Sequence, residues 1–177
     1  TDIDGYARYE KGKTHLFTGE KYLIIPSFSP ENKPLGYKSA ITANASMDIA
    51  AAKDIIAMYI DMENELQNEG YKERIKKAEK LNNELPDYQY DESGAIREWA
   101  MKEYQENNAH RHISHLYCAW PAYQTQHNNK LANACRQAIL NRNKENSRKD
   151  DTASHGWIHK ALVEARLKNS EEVYNIL

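Results

Sequence analysis

Four places along this chain hold side chains whose types and spacing could do chemistry. Glu31 stands in Ser27-Phe28-Ser29-Pro30-Glu31-Asn32, a loop bounded by prolines beside a short apolar run. A carboxyl group held rigidly and partly desolvated in such a loop has its proton affinity raised, which suits a general acid. The alternative is a solvated glutamate or one that caps a turn. The second place is His110-Arg111-His112-Ile113-Ser114-His115-Leu116, a dense group of ring and guanidinium donors. Such donors suit a polyol or carboxylate ligand. A metal site is less well supported, because no HExxH and no cysteine partner accompanies the histidines. Capping of the helix at Ser114 is the plainer reading. In Ile96-Arg97-Glu98-Trp99-Ala100, Trp99 either offers its indole face to a sugar ring or packs in the core. Ser154-His155-Gly156-Trp157 reads either as a ligand-facing helix start or as a cap beside a buried Trp.

The elements that must hold these groups are mostly helical. Gly5 to Gly19 has the spacing of short strands and turns, and Tyr22-Leu23-Ile24-Ile25 is an apolar run halted by Pro26. From Pro26 to Gly36 three prolines force extended geometry on their predecessors, so no helix crosses, and a long loop of this kind is more often functional than idle. Ser46 is expected to cap a helix whose apolar face reads Ile49, Ala52, Ile56, Tyr59 and Ile60, then Leu66, ending at Gly70. A second helix is expected from Tyr71 to Leu85. Helical texture recurs at Ile96–Tyr104, Ser114–Trp120, Leu131–Ile139, Trp157–Leu167 and from Glu171, with a polar loop over Asn141–Asp151. Six or seven helices joined by short loops predict an all-α stack of antiparallel hairpins: a β-like hairpin and long loop over residues 1–36, then helices over 37–177.

Composition narrows the function. The 177 residues carry 24 Lys plus Arg against 26 Asp plus Glu, a near balance that leaves no electrostatic footprint for nucleic acid. The longest apolar stretch, Ile49–Ile60, is broken by Lys53 and Asp54, so no membrane span is expected. Cys118 and Cys135 are too few for a disulfide scaffold and read as buried thiols. There is no GxSxG elbow and no Gly-rich phosphate loop. The chain begins at Thr1 and stops at Leu177 within an apparent helix, so it reads as a piece of something larger.

Taken in order, Ser29-Pro30-Glu31-Asn32, Ala45-Ser46-Met47-Asp48-Ile49, Ile96-Arg97-Glu98-Trp99-Ala100, the HRHISHL run from His110 to Leu116, Gly156-Trp157 and Ala165-Arg166-Leu167 resemble glycoside hydrolase family 95. That family comprises inverting α-L-fucosidases of bacterial type and others, with some members acting on α-L-galactosides. The resemblance runs from about Tyr22 to the end of the chain. It implies an (α/α)₆ toroid of which this chain is part, with Glu31 as the general acid. It implies that Arg111 and His112 hold sugar hydroxyls and that Trp99 and His115 line or buttress the pocket. The implied substrate is an oligosaccharide or glycan, with no cofactor and no metal, and the implied setting is secreted, periplasmic or cell-surface.

An inverting hydrolase needs a base-activated water opposite the acid, roughly 6.5–9.5 Å across. No counterpart to the family's water-positioning asparagines or its downstream aspartate is found in this chain. Twelve helices with minimal loops need roughly 200 residues, so about half a ring, paired with the rest of a parent catalytic domain and inactive alone, is expected. Two departures, Cys118-Ala119-Trp120-Pro121 and His155-Gly156-Trp157-Ile158, bear on substrate identity. A non-catalytic sugar-binding or interaction module with a vestigial pocket is the alternative from another class.

Overall fold

The Pro-rich loop acquires its shape from what closes its two ends. In the computed structural model, which describes residues 21–146 and 154–177, Ser27–Phe28 (β1) pairs antiparallel with Ile41–Thr42 (β2), Ser27 opposite Thr42 and Phe28 opposite Ile41. This two-residue ribbon clasps the loop at its base. The hairpin expected before residue 20 lies outside the described residues. Immediately after β2 the chain enters α1, Ser46–Leu66. Asp48 in its first turn accepts from Ser27 Oγ at 2.5 Å and from Phe28 N–H at 3.0 Å. The base of the loop is thus pinned to the start of a 21-residue helix, where a carboxylate is also favoured by the helix dipole.

The helix α2 spans Tyr71–Glu84, one residue short of expectation. Gln67 and Gly70, both at positive φ, make the tight connection, and the short loop sets the two helices antiparallel. Arg74 clamps Glu63 through Nε–Oε1 and Nη2–Oε2 contacts, both 2.6 Å. A 3₁₀ turn at Ser114–Cys118 leads to α3 at Asn129–Glu145, followed by α4 at Ser154–Arg166 and α5 at Ser170–Ile176. The described residues are therefore mainly helical with one small sheet, and the fold is all-α. No helix among them is long and apolar enough to cross a membrane.

The main core gathers where the 3₁₀ turn, α3 and α4 meet, around Ile113, Leu116, Leu131, Ile139, Val163 and Leu167. Cys118 and Cys135 lie inside it as free thiols, their sulfurs 3.6 Å apart. The apolar stripe of α3 is the one its sequence spacing shows.

Several local expectations are corrected. Tyr59 and Leu66, expected on the inner face of α1, are 39% and 62% exposed, and the helix ends at Leu66 rather than Gly70. Ser46 does not cap α1; it is the first helical residue, and its Oγ donates to the Arg97 carbonyl at 2.5 Å. The Ile96–Tyr104 segment is not a helix. Its backbone bonds go to other segments: Ile96 N–H to Ala134 O, Arg97 N–H to Gln89 O and Ala100 N–H to Asn44 O, while Glu98 O accepts from Ser46 N–H. A non-helical wedge whose Ile96 and residues 98–101 are buried can satisfy its backbone this way, which a helix does internally. Finally, α3 runs through Asn141 to Glu145, because Arg142 turns inward and is only 1% exposed.

Candidate active site

The wedge and α3 exist, in effect, to hold a carboxylate–guanidinium pair under the Pro-rich loop. Glu98 and Arg142 have side chains 1% exposed and meet at 2.9 Å, Nη2 to Oε2. Ser29 Oγ donates to Glu98 Oε1 at 2.7 Å, and Asn32 Nδ2 donates to Glu98 Oε2 at 2.6 Å. Asn32 also donates to the Asn107 carbonyl at 3.0 Å and accepts from Asn107 Nδ2 at 3.0 Å. Arg142 Nη1 reaches that same carbonyl at 2.7 Å. Ser29 O accepts from Asn32 N–H at 2.7 Å to close the turn, and Ser114 Oγ donates to Pro30 O. Ser29, Pro30 and Asn32 are thereby tied inward.

Glu31 points the other way. Its side chain is 61% exposed, with Oε2 accepting from Arg111 Nη2 and lying 3.4 Å from His112 Nε2. The rigidity expected of this loop is present. The expected desolvation is not supplied by the described residues. Arg111, His112 and Glu31, far apart in sequence, are brought together, and both donors flank the carboxylate.

His110 begins a row of rings. Centroids are 5.4 Å apart from His110 to His112, 5.4 Å from His112 to His155, 6.1 Å from His155 to His159 and 5.4 Å from His159 to Trp120. His155 and His159 are one turn apart on α4, so they share a face. The row borders a cavity of about 380 Å³ whose lining includes Pro30, Ser114, Tyr117, Trp120, His155 and His159. Its wall is largely aromatic and apolar, the kind of surface that takes the C–H face of a sugar, while polar groups at the rim fix orientation.

The imidazoles of His112, His159 and His115 are shifted toward neutrality. Burial lowers His112, with Arg111 adding to it and Glu31 opposing. His159 is pushed down to about 4, chiefly by burial and then by His155. His115 falls to about 3, again chiefly by burial. Neutral imidazoles can both donate and accept, which matches hydroxyl groups better than an imidazolium does. For Glu98, burial pushes upward, but Arg142 and the Ser29 bond help to outweigh it, and the group is held below the ordinary carboxylate range. It is therefore an anion at neutral pH.

Two candidates are set back from the surface. Trp99 is 0% exposed, bridges to Ala45 and meets Tyr104 edge-on at 6.3 Å. His115 is buried, with Nδ1 3.4 Å from Arg142 Nη2. Both stand behind the site. The sequence reading singled out neither Trp120 nor His159 for the site, and these border the cavity. The His155–His159 spacing was the available signal. Among the described residues no three His, Cys, Asp or Glu side chains gather as a metal site.

Residues 10–177 match the glycosyl hydrolase family 95 catalytic domain. Alpha-L-fucosidase 2 of Arabidopsis thaliana is 30% identical over 159 residues, which cover 86% of this chain and 18% of that protein. The chain thus spans about a fifth of the curated relative it matches. The family match over residues 10–177 and this relative show that the chain belongs to glycoside hydrolase family 95.

Proposed function

We propose that this chain carries the acid half of a glycoside hydrolase that removes terminal α-L-fucosyl, or related α-L-galactosyl, residues from a glycan with inversion. The observation that supports it most is Glu31, the outward member of Ser29-Pro30-Glu31-Asn32, whose other three residues are tied inward, flanked by Arg111 and His112. In this reading Glu31 protonates the departing glycosidic oxygen as the C–O bond breaks. A water on the opposite face of the sugar attacks the anomeric carbon, and a base receives its proton. Arg111 and His112 bind hydroxyls, the aromatic row supports the ring, and Trp99 and His115 buttress from behind.

The base and the residues that position the water belong, in this proposal, to the remainder of a catalytic (α/α)₆ toroid. The hairpin of α1 and α2 would be one of its units. The test is made in the intact protein that carries this segment. Glu31→Gln is expected to depress turnover of α-L-fucosides with poor leaving groups by about 10²–10⁴-fold, the range of general acid catalysis. Activated aryl glycosides, which need little protonation, should lose much less. Small losses on both substrates would show that Glu31 is not the acid.

A further inference from the structure

We propose that Glu98, which does not face solvent, is the positioning residue for the acid loop: through Ser29 and Asn32 it fixes where Glu31 stands. The inference rests on Glu31 being the general acid. Glu98 is bonded at each of its polar atoms. Its carbonyl accepts from Ser46 N–H at the start of α1, at 2.9 Å, and its own N–H donates to Glu106 Oε2 at 2.8 Å. Oε1 takes Ser29, and Oε2 takes Asn32 and Arg142. These partners come from segments 66 to 69 residues earlier and 44 residues later. The acid loop is therefore referenced to α1, to the wedge and to α3 through a single buried carboxylate.

Stability alone does not call for such a group. A buried ion pair is often matched by apolar residues of similar volume, because desolvation offsets most of its attraction. What apolar residues could not supply is two directed acceptors for the inward members of Ser29-Pro30-Glu31-Asn32. With Ser29 and Asn32 fixed on either side, the intervening residue Glu31 is left to project outward between Arg111 and His112. Hydrogen bonds behind a reacting group hold its geometry, and displacement of about 1 Å costs about 10²-fold in rate. Glu98→Gln keeps the shape but removes the charge and one of the two acceptors: with its amide oxygen toward the Asn32 and Arg142 donors, its NH₂ faces Ser29 Oγ, so Ser29 can no longer donate and the loop loses part of its reference.

The experiment compares Glu98→Gln, Glu31→Gln and the Ser29→Ala/Asn32→Ala double variant in the intact protein. Each is assayed on an unactivated fucosyl disaccharide and on α-L-fucosyl fluoride, with thermal melting as a folding control. The expected result is that Glu98→Gln loses about 10²-fold in kcat on the disaccharide, less than about 10-fold on the fluoride, with KM little changed. That is the selective signature of Glu31→Gln in weaker form. Equal loss on both substrates, tracking the folded fraction, would mark Glu98 as merely structural and overturn the proposal. Should Glu98→Gln fail to fold, the double variant decides, since it leaves the Glu98–Arg142 pair in place. Wild-type selectivity there also overturns the proposal. If Glu31→Gln itself lacks leaving-group selectivity, the acid assignment falls and the positioning role with it. If Glu31→Gln is selective and Glu98→Gln is not, only the positioning role falls.

Discussion

Glu106 shows how titration reaches the site from below. It accepts from the Glu98 N–H and pairs with Arg97 at 3.3 Å, and burial raises it from 4.5 to about 7. A raised acid binds its proton more tightly in the folded state. Its contribution to stability is thus fully present below about pH 4.5 and lost as pH rises through about 7. Glu106→Gln in the intact protein should gain roughly 2–3 kcal/mol relative to the wild type between pH 4 and pH 8. Denaturant midpoints across that range check it, and a pH-independent difference would refute it. His115 and His159 act with the opposite sign. Held near 3 and 4, they favour the folded state above their ordinary 6.5 and lose that contribution as pH falls toward those values. Acid unfolding should accordingly be shallower in a variant with His159 replaced by Asn.

At the scale of elements, the decisive one is α3, because it delivers Arg142 to the Glu98 carboxylate that holds the Glu31 loop. Its start is fixed by Asn128, whose side chain accepts from Leu131 N–H at 3.0 Å. Asn128→Ala should cost about 1 kcal/mol, read as a lowered melting temperature with the leaving-group selectivity unchanged; altered selectivity would tie the cap directly to the site. The apolar stripe of α3 was legible because a repeating one-sided pattern reports burial without any knowledge of the partner, whereas on α1 the same pattern misplaced Tyr59 and Leu66, which are exposed. The Ile96–Trp99 wedge was not. It is buried on both sides, so it lacks the one-sided pattern, and its hydrogen bonds go to residues distant in sequence. The last turn of α3 read as a polar loop because an inward arginine looks like a surface one until its carboxylate is known.

At the scale of the molecule, α1 carries Ile55, Met58, Met62 and Leu66 on one exposed stripe, with spacing of three, four and four residues. In the toroid we propose, neighbouring helices cover it. Met58→Lys with Met62→Lys should then destabilise the intact protein by at least about 2 kcal/mol. The same pair should reduce self-association of the 177-residue chain on its own, read by sedimentation. No destabilisation of the intact protein would remove the stripe from the toroid's interior. The sequence by itself determined the helical class, the loop that no helix could cross, and the residue types able to give a proton and bind hydroxyls. Those follow from local stereochemistry and from motif order. Only the tertiary structure decided that Glu31 faces outward between Arg111 and His112, that Trp99 and His115 stand behind while Trp120 and His159 border the cavity, and that Glu98 and Arg142 hold the loop. These are pairings between segments tens of residues apart, and a buried charge announces its partner only when both are in place.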